Sequence, residues 1–249
     1  MTARLDRPAT RDGLFLWVMH RFAEVFEEHA VLKGGLAMRL IDSPRMTVDI
    51  DYVFVPFTSK KQIADRVEAV LREIEGASIA VRLHSKMLRA ELRVDDQAVL
   101  VEINVAEDCE SIAMTTGGFA RSLGQPAQVI RVMGPGSALS HKLAAWNERR
   151  LLRDLYDCYF LAGRVGVDPD LEVLNDRLAH VESRLPALRK RTSMSREQLA
   201  AELRLEIQRL DDEDLGRELS GLLPGDELAG LAIRIRPVIE RVAVSITNA

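Results

Sequence analysis

Apolar side chains in residues 12–30 recur at Leu14, Val18, Phe22, Val25 and Phe26, with Arg21, Glu24 and Glu28 elsewhere on the wheel, which predicts an amphipathic helix. A short turn through Lys33-Gly34-Gly35 leads to a second short helix, about Leu36 to Ile41. Pro44 ends it, because the proline ring disfavours helical backbone at Ser43. Val48 to Val55 is β-branched and aromatic and is stopped by Pro56, so it reads as a strand. Helical period returns in residues 59–75 through Ile63, Val67, Val70, Leu71 and Ile74, with Ser59 as N-cap and Gly76 as the stop. Three strand-like runs follow at 78–84, 87–94 and 98–105, the last two joined by the polar turn Asp95-Asp96-Gln97.

This order predicts an α/β (α+β) fold, a mixed sheet with flanking helices. From about residue 136 the period is helical: 136–149, 152–164 and 170–183. Ser195 to Gln198 forms a capping box for a helix through about Leu210, and further helices start near Asp214 and Asp226. Gly124, Pro126, Gly134, Pro135 and Gly136 mark a boundary. The expected organisation is a sheet domain over 1–130 and a helical domain over 131–249, docked on it and completing the active site.

Composition narrows the classes. The 249 residues are 47% hydrophobic and 29% charged, which suits a globular protein with a real core and excludes a disordered tail. No apolar run reaches the roughly 18 residues of a membrane span. The opening MTARLDRPATRDG lacks the apolar centre of a secretory signal, so a cytoplasmic protein is expected. Cys109 and Cys158 are far apart and in no metal-like spacing, which argues against a disulfide scaffold or a cysteine zinc site. With 34 Lys+Arg against 38 Asp+Glu the net charge is −4, so nucleic acid could be held only by local basic patches.

The chemistry concentrates around one strand. Asp49 and Asp51 sit at i and i+2 and project from the same face, their Cα atoms roughly 6.6 Å apart. Such a pair repels unless a cation lies between, and Mg²⁺ suits hard carboxylate oxygens; two unrelated aspartates on a solvated face are the alternative. Glu102 shares a strand face with Leu100 and Asn104, while Val99, Val101, Ile103 and Val105 form the other. It is the candidate third metal ligand; a buried glutamate paired with an arginine is the competing reading. Gly34-Gly35 allows close backbone approach, and the helix starting there aims amides at an anion, unless it is only a left-handed turn. There is no Walker loop, and Gly134-Pro135-Gly136 lacks the third glycine of a dinucleotide site.

Positive residues form stripes. Arg82, His84 and Lys86 alternate with Val81, Leu83 and Ser85, and Arg89 and Arg93 continue the row around Glu91. Arg149-Arg150-Arg153 and Arg184 to Arg189-Lys190-Arg191 add further clusters. These suit a phosphate backbone, although a solvated face is the commoner meaning of each. With only 5% aromatic residues a broad base-stacking platform is not expected, which favours an RNA end read by shape and backbone charge.

The run LKGGLAMRLIDSPRMTVDIDYVF resembles the signature of the AbiEii/AbiGii-like (MenT-type) toxin nucleotidyltransferases, a branch of the polymerase-β-like nucleotidyltransferase superfamily. The family pattern falls on Gly34, Gly35, Arg39, Arg45, Thr47, Asp49 and Asp51. Its later motif, a helical lysine followed by Arg-Asp-x-x-Asp, falls on Lys142 and on Arg153-Asp154-Leu155-Tyr156-Asp157, so that the resemblance covers residues 30–162. It implies a toxin with a cognate antitoxin, moving a nucleotide from an NTP to RNA, with a tRNA 3′ end as acceptor and pyrophosphate as product. It implies Mg²⁺ (or Mn²⁺) held by Asp49 and Asp51, to which the strand-face reading adds Glu102. Gly34, Gly35, Arg39, Arg45 and Lys142 would bind the nucleotide, and Asp49, Asp51, Lys142 and Asp154 would be catalytic. Asp157 is expected as a structural partner of Arg153 or Arg150. Thr47 shares the face of Asp49, so a phosphate there, adding about −1.5 to −2 charges, would be an off-switch. Transfer to a protein or small molecule, a phosphotransferase of the same fold, and a catalytically dead binding module are the rival readings.

Overall fold

The computed structural model describes residues 7–85, 87–183, 185–186 and 188–248. The chain divides between Met133 and Gly134 into two compact units.

In the first unit, helix α1 (Arg11–Phe26) starts at Thr10, whose side chain accepts a hydrogen bond from the Gly13 amide. Every position from Leu14 to His20 is buried, so α1 is not the one-sided helix its spacing predicts but is packed nearly all round. A 3₁₀ turn at Glu27–His29 leads into strand β1 (Ala30–Lys33), and helix α2 (Gly34–Arg39) follows without a linker. Strand β2 (Asp49–Phe54) is shorter than the sequence suggests: Val48 lies outside it and is 56% exposed. Helix α3 (Lys61–Leu71) also falls short of residue 75, and Lys60, not Ser59, occupies its N-cap. Strands β3 (Ser78–Leu83), β4 (Leu88–Val94) and β5 (Gln97–Val105) are where the alternation places them. Strand β6 (Ser111–Thr115), helix α4 (Gly117–Ser122) and strand β7 (Val129–Met133) complete the unit and, like β1, are elements that the sequence pattern does not predict.

The seven strands form one mixed sheet in the order β3-β4-β5-β2-β1-β7-β6. Strand β2 runs parallel to β5 and antiparallel to β1, which places Asp49 and Asp51 in the middle of the sheet. One sheet face is dry. Phe22 and Phe26 of α1 pack on Tyr52 and Phe54, with ring centroids 5.1 Å apart for Phe22–Tyr52 and 4.8 Å for Phe26–Phe54. Alternation therefore sends Asp49 and Asp51 to the opposite face.

The second unit is helical: α5 (Pro135–Arg149), α6 (Leu152–Tyr159), α7 (Leu171–Ala179), α8 (Arg196–Arg209), α9 (Asp212–Leu219), α10 (Gly225–Leu228) and α11 (Leu231–Asn248). Helix α5 packs on α6 and α7, and α8 lies along α11. The predicted capping box is formed at Ser195 and Gln198. A π-helical turn at Phe160–Val165 extends α6, and α7 ends well before residue 183. Lys86 and Arg184 of the basic stripes, and residues 1–6 of the opening segment, lie outside the described residues.

Candidate active site

The site in the first unit grows from the junction of β1 and α2. Lys33 ends β1 in register with Asp51 of β2, so the chain turns into α2 directly beside that aspartate. Gly34 makes the turn at φ +73°, a conformation that disfavours any side chain. A Cβ on Gly34 would stand 2.2 Å from Asp51 Oδ2. A Cβ on Gly35 would stand 2.9 Å from both Thr47 Oγ1 and Arg45 Nη2. The glycine pair is thus a bare stretch of backbone on which Asp51, Thr47 and Arg45 rest. Thr47 donates its hydroxyl to Asp49 Oδ1 at 2.7 Å and is 5% exposed; Arg45, 7% exposed, donates to the Met46 carbonyl. A phosphoryl group on Thr47 would require the 45–47 segment to lift from Gly35.

A charged row crosses five strands through this point: Lys33 of β1, Asp51 of β2, Glu102 of β5, Arg89 of β4 and Arg82 of β3 are successive register partners. Asp51 and Glu102 are therefore neighbours on adjacent strands, about 4.8 Å apart across the sheet. Two adjacent carboxylates repel, and Glu102 is relieved by an ion pair at 2.5 Å from Arg89. That is the arginine pairing named as the alternative reading of Glu102. The cause is the β4–β5 register, which sets Arg89 directly opposite. Among the described residues no group of three or more His, Cys, Asp or Glu side chains is placed to hold a metal. Arg39 makes a bidentate ion pair with Asp12 at 2.8 and 2.9 Å and lies over the Phe119 ring, tying α2 to α1. Burial pushes the Cys109 thiol up to about 11 despite the opposing charge of Lys33, so it is no thiolate nucleophile at neutral pH.

The second motif forms its own cluster in the second unit. Lys142 of α5 pairs with Asp157 of α6 at 2.7 Å and lies 3.9 Å from Asp154. Asp154 takes a bidentate pair from Arg149, at 3.0 and 2.6 Å. Both aspartates are buried, at 1% and 0% exposure. Asp157 therefore pairs with Lys142, which the packing of α5 on α6 brings close. Arg150 pairs instead with Glu202, which Arg191 also holds. The Arg149-Arg150-Arg153 cluster is thus largely neutralised inside its own unit.

A mixed sheet carrying an i, i+2 aspartate pair against a glycine turn, with a helical unit after it, defines the nucleotidyltransferase class of protein. The model of the family described as "Nucleotidyl transferase AbiEii toxin, Type IV TA system" matches residues 17–231. The chain belongs to that family and is a nucleotidyltransferase toxin of a type IV toxin–antitoxin system, with a nucleotide substrate and an antitoxin partner. No curated protein matches its sequence. Among solved structures it resembles MenT4, a nucleotidyltransferase toxin of Mycobacterium tuberculosis H37Rv, at TM-score 0.57 and 15% identity over 94% of this chain and 82% of that one. It also resembles JHP933 of Helicobacter pylori, at TM-score 0.54 and 16% identity over 95% and 92%. These likenesses concern the fold. No helix among the described residues is long and apolar enough to cross a membrane.

Proposed function

We propose that this enzyme transfers a nucleotide from an NTP to the 3′ end of an RNA, with tRNA as the acceptor class, in a reaction that requires a divalent cation. The observation that carries this reading is Asp51 packed against bare Gly34 with Asp49 beside it on β2. Two hard carboxylate donors on one strand face, one of them seated against bare glycine backbone, suit Mg²⁺ or Mn²⁺. When bound, the cation would lower the pKa of the attacking hydroxyl and offset charge on the departing pyrophosphate.

Asp49 and Asp51 would hold the cation, and the Thr47 hydroxyl fixes the orientation of Asp49. The Gly34 and Gly35 amides bind phosphate oxygens at the start of α2. The acceptor oxygen bonds to the α-phosphorus as the bond from that phosphorus to the β-bridging oxygen breaks, so pyrophosphate leaves. Positioning and charge stabilisation supply most of the rate. The family resemblance also assigns Lys142 and Asp154 to the reaction, and their mutual fixing with Asp157 and Arg149 supports a preorganised role.

The test incubates the enzyme with Mg²⁺ and each α-labelled NTP, offering total tRNA, other RNA and protein separately. Label is expected on tRNA, with a loss of at least about a hundredfold in Asp49→Ala and Asp51→Ala, the scale for removing a group that stabilises transition-state charge. Label on protein alone, or diphosphate nucleotide as product, defeats the reading.

A further inference from the structure

Beyond β5, the sheet face that carries Asp51 continues onto β4 and β3, where it carries the stripe of Arg82, Arg89 and Arg93. The two faces differ sharply there. Leu88, Ala90, Leu92 and Val94 of β4 are buried in the core, while Arg89, Glu91 and Arg93 alternate with them on the other side. Arg82 of β3 pairs in register with Arg89 on that side, and both Arg82 and Arg93 are exposed. Arg82 and Arg93 have no ion pair among the described residues, whereas most other arginines of the unit are tied to a carboxylate or a carbonyl. Arg89 touches Glu102 through one Nη alone, and its buried Nε has no hydrogen-bond partner. A guanidinium has five donors, so Arg89 has unused capacity.

We propose that this β3–β4 face is the track on which the acceptor's phosphodiester chain lies, with Arg82 and Arg93 as its contacts and Arg89 as the link to the site. The inference rests on the RNA reading above and deepens it. Register gives the direction. Arg82, Arg89, Glu102 and Asp51 occupy one row, so a chain entering at the β3 edge meets two guanidiniums before it reaches the carboxylates. The spacing of strands puts Arg82 about 14 Å from Asp51, three strands away. A protein of net charge −4 needs such a local patch to hold a polyanion. Glu91 is the one acid on the β4 part of the face, and it should weaken the track.

Arg82 and Arg93 are exposed, so Arg82→Ala/Arg93→Ala folds and can be assayed. The KM for tRNA is expected to rise while the KM for NTP stays unchanged. The slope of log KM against log salt should fall by about 0.7 for each phosphate no longer neutralised, about 1.4 for the pair. Arg82→Lys should retain most of the binding that Arg82 supplies, and Glu91→Gln should lower the KM for tRNA. RNA labelling whose KM and salt slope ignore all these changes overturns the track while leaving the reaction in place. A wild-type enzyme that labels protein and not RNA overturns the acceptor reading itself, and the track with it.

Discussion

Gly34 and Gly35 look alike in the sequence but do different things. Gly34 is needed twice over, for its left-handed backbone and for the Asp51 oxygen that occupies the place of its Cβ. Gly34→Ala should cost about 1–2 kcal/mol from backbone strain, a Tm fall of about 2–4 °C for each kcal/mol. Because the new methyl also evicts Asp51, nucleotide incorporation should fall much further than stability. Gly35 keeps Thr47 and Arg45 seated, and through Thr47 it orients Asp49. Parallel melting and incorporation assays on Gly34→Ala check this; full activity in a destabilised variant would refute the close approach. At this scale much of the site was legible. The i, i+2 spacing of Asp49 and Asp51 fixes a shared face by geometry alone. The ion pairs were not: Arg39 to Asp12, Arg149 to Asp154 and Lys142 to Asp157 depend on how helices pack, which side-chain period does not encode. Arg89–Glu102 is intermediate, since a tight β4–β5 turn sets the register that pairs them.

Elements were legible in proportion to the length and regularity of their pattern. Helices α5 and α8 show their 3.6-residue period over many turns. Strand β1 has only Ala30-Val31-Leu32-Lys33, a short apolar run directly after a helix, and such a run carries no period of its own. Strands β6 and β7 flank a glycine-rich turn and α4, and their pairing with each other and with β1 is a tertiary fact. Caps are local and testable at this scale. Asp170 accepts hydrogen bonds from the Glu172 and Val173 amides at the start of α7, and from Ser137 Oγ of α5. Asp170→Ala should therefore reach the upper part of the usual 0.5–2 kcal/mol for a missing N-cap, about 2 kcal/mol, while Asp170→Asn should keep most of it. Urea unfolding of the two variants decides the point; equal midpoints would show that charge or context, not capping, holds that end of α7.

At the scale of the whole molecule, the family membership makes this a toxin, and its chemistry must be separable from its stability. On the proposed reading, Asp49 and Asp51 repel each other without the cation and are kept for function rather than for stability. A ligand that binds only the folded chain stabilises it by an amount set by concentration over Kd, about 2.7 kcal/mol at one hundred times Kd. Mn²⁺ with a non-hydrolysable NTP should then raise the melting transition of the first unit, by about 2–4 °C for each kcal/mol. Asp49→Asn is the informative change. An amide oxygen still accepts the Thr47 hydroxyl and the repulsion from Asp51 is relieved, so the ligand-free transition should not fall while the cation-dependent rise disappears. A variant that keeps the full rise would remove Asp49 from the cation site. A variant already melting lower without ligand would assign Asp49 to the fold instead, because its charge would then be stabilising a partner within the sheet.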